Sequence, residues 1–486
     1  MTVAAKGVVE GRLLSVTAET AGAFGEVGVV LAERQGQIHA DLSVGANVAS
    51  AIPLRANSHL SNRGVQLFGA GFVVTPDEAA TLGLGIVAGL ERHIRDYRNG
   101  RDLTATPRDV MVIDAFGLSA DELRSCFPAV YQWLLERVKP ERDQNNRPSR
   151  RDNWWLFGET NPKLRRQLAG LPRYIATVET AKHRTFQFLD ASVLPDNKLI
   201  AIALEGGFHL GVLSSGPHGY WALAAGSWLG VGNDPVYVKT KCFETFPFPG
   251  DDTGLTAALV ERIRLLAEQI DGHRKARQAA HASLTLTGMY NVLERLRTGE
   301  ALTDSDRVIN ANGLVGVLRT LQDELDAAVL ESYGWSDLNL PADKDALLLR
   351  LAALNARRAA EEAAGTVRWL RPSFQHPSAQ GTQSALDMGT QAQTEESDES
   401  DGAESTTSRV SVPIVKRPWP SGLPEQIKTV AEVLSACVMP LTLPALEAHF
   451  TARGRWRDRL PTILDTLEAL GRARRVDSDV VRWQSQ

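Results

Sequence analysis

Cysteine is scarce in this chain. Cys126, Cys242 and Cys437 lie far apart in 486 residues, with no CxxC pair and no Cys/His cluster. That pattern supports neither a disulfide framework nor a zinc site, so no metal is expected. Long apolar runs are lacking too: none approaches the roughly 18 residues that a membrane-spanning helix needs. The N-terminus has no basic-then-apolar leader. A cytoplasmic protein with no membrane partner is the expectation. Hydrophobic residues make up 43% of the chain, enough for ordinary cores, and the length predicts two to four domains.

A net positive charge is lacking overall, yet positive charge is concentrated locally. The formal net charge is −5, yet Arg137 to Arg184 holds twelve Lys or Arg against five acids. A basic island in a mildly acidic chain suits phosphate contact, because neutralising phosphates and releasing their counterions supplies most non-specific affinity. Trp154, Trp155, Phe157, Tyr174 and Phe186 are interleaved with these charges, and such rings can stack on unpaired bases or carry guanidinium groups. A solvated charged face with a few core aromatics fits the same composition.

Periodicity and turn signals place the elements. Short β-branched runs at Gly11 to Ala18 and Val27 to Ala32 read as strands. Thr75-Pro76-Asp77-Glu78 reads as a helix start, with Thr75 as N-cap, Pro76 in the first position and two acids in the first turn. Strands are expected at 110–113, 174–178, 199–204, 207–213 and 236–239, and helices at 120–137 and 163–168. After Thr253 the three-to-four spacing of Ala257, Val260, Ile263, Ala267 and Ile270, and of Leu314, Leu318, Leu321, Leu325 and Ala328, predicts packed helices. Arg262, Arg264, His273, Arg274, Lys275 and Arg277 are expected on an outward face, solvated or along a DNA backbone. The fold class is α+β: a mixed α/β domain at 55–251 and a helical domain at 252–375 follow a strand segment at 1–54.

An ordered set of short tags carries a resemblance. Asn161-Pro-Lys-Leu-Arg165, Arg173-Tyr-Ile175, Lys182-His-Arg-Thr-Phe186, Ser214-Ser-Gly-Pro-His-Gly-Tyr-Trp221 and Phe246-Pro-Phe-Pro249 occur in this order. Together they resemble the target-recognition region of MmeI-like type II restriction–modification proteins, which fuse an N6-adenine DNA methyltransferase to a C-terminal specificity region. Leu325 to Trp335, Leu347 to Glu362 and Gly365 to Phe374 resemble the helical end of the same family. The similarity covers roughly Phe24 to Pro377.

The resemblance implies double-stranded DNA as partner. Arg147, Arg150, Arg151, Lys163, Arg165, Arg166, Lys182, His183 and Arg184 are the candidates for backbone contact. The family reads bases from a hairpin between the H-x-x-W and F-P-x-P tags, and Asn233, Asp234, Lys239 and Lys241 are the candidates here. Asn pairs with adenine, Lys donates to guanine and Asp accepts from cytosine. His218 is expected to be a buried polar anchor, with no nucleophile signature around it.

The family's chemistry is not legible here. No D/N/S-P-P-Y/F/W tetrapeptide occurs, the turn that holds a flipped adenine. Phe68-Gly69-Ala70-Gly71 reads as a turn rather than a cradle for S-adenosylmethionine, and Asp196-Asn197-Lys198 is no convincing nuclease core. No catalytic residue is assigned, whether the chain acts as an enzyme is left open, and no cofactor is expected on this chain. S-adenosylmethionine is implied for a complete or partner enzyme. Residues 8–40 resemble the hairpin that closes the family's methyltransferase sheet and would leave a strand edge exposed. A methyltransferase chain encoded upstream is then the expected partner, and a truncated gene the other expectation.

Between 376 and 415 the composition turns to Gln, Ser, Thr, Gly and acids, six of them within Glu395 to Glu404. A disordered acidic linker is expected, since it cannot bury enough apolar surface to offset ordering. Residues 416–486 read as helices at 425–435, 443–452 and 460–470 followed by a hairpin at 472–483. That order resembles a winged-helix domain, either a second DNA reader or a protein dock.

Three functions remain from the sequence. The preferred one is the DNA-binding specificity part of an adenine-specific modification or restriction–modification system, with catalysis supplied by another chain or lost. The alternatives are a complete methyltransferase or nuclease with an unrecognised active site, and a structural adaptor.

Overall fold

The computed structural model describes residues 11–21, 27–36, 38, 44–229 and 234–377, and scattered positions between 417 and 485. The chain divides into two units, Met1–Ser384 and Ala385–Gln486.

The first unit is α+β, built around two four-stranded sheets. One has the order Ser61–Arg63, Leu199–Ile202, Arg173–Val178, Gln187–Asp190, antiparallel throughout. The other has the order Val73–Val74, Met111–Ile113, Ile94–Arg98, Leu194–Pro195, and its last pair is parallel. The helix start at Thr75 forms as expected: the Thr75 hydroxyl accepts from the Glu78 N–H while the Glu78 carboxylate accepts from the Thr75 N–H. The expected helix at 120–137 is two helices, Ala120–Cys126 and Pro128–Arg137. Pro128 lacks the N–H that would continue the first.

The segment 207–213 is a helix, Gly207–Ser214, not a strand. It is apolar on nearly every side, so it shows no helical stripe in the sequence, as befits a largely buried helix. Gly207 and Gly211 face the long helix Ala257–Ala280. A Cβ on Gly211 would meet Ile263 Cγ2 at 2.5 Å. The helix Gly216–Ala225 follows at once, with Pro217 in its first turn, and His218 sits on it. The segment expected as a strand at 236–239 splits into the strand Asp234–Val236 and the short helix Lys239–Cys242.

The boundary expected at 251 has no counterpart in the packing. Ile175, Phe186, Ile200, Trp221 and Phe246 share one core with Ile263, Met289, Leu318, Leu325 and Leu351. The helices Leu286–Thr298, Val315–Ser332 and Lys344–Ala363 therefore pack into the same core instead of forming a separate domain. A second cluster around Phe72, Tyr97, Leu123, Leu134 and Trp154 backs the other sheet.

A long hairpin, Gly11–Ala21 paired with Val27–Gly36, forms a two-stranded sheet of its own, with a bulge at Thr17. Leu14, Val16, Val29, Val30 and Leu31 on it are each about half exposed. Arg34 pairs with Asp345 on the helix Lys344–Ala363.

In the second unit, Leu441–Thr442, Arg482–Ser485 and Ala473–Val476 form a three-stranded antiparallel sheet, and Arg417–Pro418 pairs with Phe450–Thr451. Val430, Leu434, Leu446, Leu460, Leu464 and Leu467 form its core. The helix expected at 443–452 ends at Glu447, before the strand Phe450–Thr451. The acidic linker lies almost wholly outside the described residues.

Candidate nucleic-acid interface

Most of the tags that carry the resemblance hold the fold together. Asn161, at φ +48°, caps the helix Pro162–Leu168 by accepting from the Leu164 N–H, and its side-chain N–H donates to the Arg63 carbonyl. Arg165 clamps the buried Asp114 with both nitrogens, at 2.6 and 2.9 Å, and donates to the Thr160 carbonyl. Arg173 makes a paired contact with Glu268 and lies 3.6 Å from the Phe188 ring centre. Trp221, Phe246 and Phe248 are core, and Asn57 donates to the Phe243 and Phe246 carbonyls. His218 is buried, 2.9 Å from the Tyr237 hydroxyl and edge-on to Phe246. Burial, with Arg184 nearby, presses its pKa down to about 3, so it is a neutral anchor.

The basic island separates into inner and outer members. Arg184 donates to the Val178, Glu179 and Pro235 carbonyls and lies over Tyr237, so it faces the interior rather than phosphate. Arg165, engaged by the buried Asp114, likewise faces the interior rather than phosphate. Arg150 is half-buried, with its guanidinium 3.6 Å from the Phe68 ring centre and 3.9 Å from Glu159. His183 is half-buried against Asn291 and Glu294. Arg147, Arg151, Lys163, Arg166 and Lys182 are exposed, with Arg151 near Asp152 and Lys182 donating to Asn291. The interleaved aromatics are not available for stacking: Trp154, Phe157, Tyr174 and Phe186 are buried and Trp155 is half-buried.

Part of the cation set of the long helix also turns inward. Arg274 and Lys275 donate to the Phe186 and Phe188 carbonyls, and Arg277 donates to the Asn312 carbonyl. His273 meets the Gly313 carbonyl, while Arg262 and Arg264 pair with Glu331 and Glu261. Arg262, Arg264 and Lys275 keep much of their side chains exposed, so the solvated face describes them, while His273, Arg274 and Arg277 face the interior.

The structure brings together residues that the sequence did not single out. Glu179, at the end of the strand Arg173–Val178, is buried between exposed Arg63 and Lys198, at 3.2 Å from the latter. From there the segment 179–181 pairs with the hairpin. The Ala181 N–H donates to Pro235, the Tyr237 N–H donates to Glu179, and Thr180 bridges Val236. Asp234–Val236 then pairs with Ser227–Leu229, placing Trp228 opposite Pro235 and Leu229 opposite Asp234. Trp228 is 50% exposed and Leu229 54%. Of the base-reading candidates, Asp234 is exposed on this hairpin and Lys241 is exposed on the short helix after it. Lys239 pairs with Glu244 at 3.5 Å, and Asn233 lies outside the described residues. A signal for Trp228 was present, a large aromatic in a Gly-bounded hairpin. Arg63 carried none, and Lys198 was weighed only as part of Asp196-Asn197-Lys198, since only tertiary pairing brings the strands at 61–63 and 199–202 together.

No metal-holding group of His, Cys, Asp and Glu occurs among the described residues, and none of their helices is long and apolar enough to cross a membrane. The Gly69–Gly71 loop is filled: a Cβ on Gly71 would lie 2.6 Å from the Arg137 carbonyl oxygen.

No protein-family model matches the chain, and no curated protein matches it. Among solved structures it is similar to the type IIL restriction–modification enzyme MmeI in complex with DNA. The TM-score is 0.48 at 17% identity, over 69% of this chain and 40% of that enzyme. The chain thus spans well under two thirds of that enzyme's length.

Proposed function

We propose that this chain is the DNA-binding specificity part of an adenine-specific modification or restriction–modification system, with methyl transfer carried out by another polypeptide. One observation carries the reading: exposed Lys163, Arg63, Lys198 and Lys182 are linked through the Asn161 cap, Glu179 and the 179–181 segment to a projecting hairpin. Cations that grip phosphates beside a ribbon narrow enough for a groove are the two parts that positioning and base reading require. The ordered tags support the family assignment, and the hairpin 11–36, with exposed apolar residues, supports a partner whose sheet accepts it. In the same reading, the second unit is a winged-helix module that adds a DNA or protein contact.

The test is retention of labelled duplex DNA by the purified chain across a salt series. Affinity should fall steeply as salt rises, and changing Lys163, Arg166 and Lys182 together to Glu should flatten that dependence. Absence of retention at low salt would leave a structural adaptor. Saturable S-adenosylmethionine binding by this chain alone would instead support the complete-enzyme alternative.

A further inference from the structure

The hairpin Ser227–Leu229/Asp234–Val236 has a feature that groove reading does not require. Its outer strand exposes two large apolar side chains in succession, Trp228 and Leu229. Successive strand residues point to opposite faces, so the ribbon presents an apolar surface on both sides. Trp228 faces across to Pro235, which is itself buried, so the inner strand is fixed while the outer strand projects.

The base of the ribbon is rigid. Pro235 accepts from the Ala181 N–H and from Arg184, and Arg184 is held by the Val178 and Glu179 carbonyls. The surroundings are cationic: exposed Lys182 follows the paired segment 179–181, Lys198 and Arg63 flank Glu179, and Lys241 follows the hairpin. The acids Glu179, Glu244 and Glu294 are each met by a cation or His183, and Asp234 is the exposed acid on the ribbon.

We infer that this hairpin is a wedge for unpaired bases: Trp228 stacks on a base displaced from the duplex, Leu229 fills the gap on the other face, and Lys182 and its neighbours hold the flanking phosphates. Apolar wedges on a rigid element unstack base steps, and aromatic stacking on a free base is tolerant of its identity. A protein surface would match the apolar pair equally, but the exposed cations Lys182 and Lys241 on the segments next to the ribbon favour a polyanion. The inference rests on the DNA-binding reading above and adds to it a preference for opened DNA.

The experiment compares binding of the full chain to a labelled duplex and to the same duplex with a short unpaired stretch at its centre. Wild type should favour the opened duplex, and Trp228→Ala should reduce that preference about tenfold, the equivalent of one stacked base. Trp228→Phe should restore most of it, and binding to the paired duplex should change less than about twofold, because backbone contacts are intact. If wild type binds both DNAs and Trp228→Ala binds them unchanged, the wedge is wrong and the DNA-binding reading stands. If wild type retains neither DNA at low salt, both fall. A Trp228→Ala effect on self-association without one on DNA would assign the hairpin to a protein contact and overturn the wedge.

Discussion

At the residue scale, the roles of two neighbouring cations diverge. Arg184 satisfies three carbonyls beneath the hairpin, while Lys182, two residues earlier, is exposed. Removing a buried, hydrogen-bonded charge strands its partners. Arg184→Ala should lower stability by about 2–4 kcal/mol in urea unfolding. Lys182→Glu should leave stability within about 0.5 kcal/mol while weakening DNA binding. Asp326 gives a pH-dependent test. Burial raises its pKa to about 6 against the ordinary 3.8, although the Gly216 N–H, at 2.7 Å, and Arg297 favour the charged form. A raised carboxyl pKa in the folded state means that its contribution is fully present below the ordinary value and is lost as pH rises through about 6. Unfolding midpoints measured across that range should therefore fall with pH more in wild type than in Asp326→Asn, and identical profiles would exclude Asp326 as the source.

At the element scale, the close approach of two helices replaces an expected strand. The run Gly207–Ser214 is apolar enough to read as a buried strand, and only its contact with Ala257–Ala280 shows why glycines stand at 207 and 211. Gly211→Ala should cost about 1–3 kcal/mol by forcing Ile263 aside, although alanine is the better helix former. Where the local signal was strong the reading survived: the Thr75 cap and the strand at 174–178 formed as read, because caps and short β-branched runs depend on nearby atoms. Thr75→Ala should lower the unfolding free energy by about 1 kcal/mol. Leu314 shows the opposite outcome. It completes a stripe in the sequence, yet it lies outside the helix Val315–Ser332 in the left-handed region and is 45% exposed.

At the scale of the whole molecule, residues on both sides of 251 share a core, so the first unit should fold as one. A fragment ending at residue 251 loses Ile263, Leu318, Leu325 and Leu351 from around Trp221 and Phe246. It should lack the near-ultraviolet circular dichroism of a packed core, whereas a fragment ending at 384 should retain it. A folded 1–251 fragment would restore the boundary that helical periodicity suggested. The hairpin 11–36 belongs to this scale as well. Two strands alone are marginal in water, so its amides should exchange quickly in the isolated chain and slow when a partner sheet covers it.

The sequence by itself determined the α+β class, the Thr75 cap, the periodic helices after Thr253 and the presence of a local basic excess, because each is written in neighbouring residues. Tertiary structure alone decided which of those charges face outward. Arg165, Arg184 and Arg274 carry the same side chain as Arg147 and Arg166, and their difference lies in distant acceptors at Asp114, Pro235 and Phe186. The same holds for the tags: their order is visible in the sequence, but whether a residue grips DNA or braces the fold depends on what packs against it.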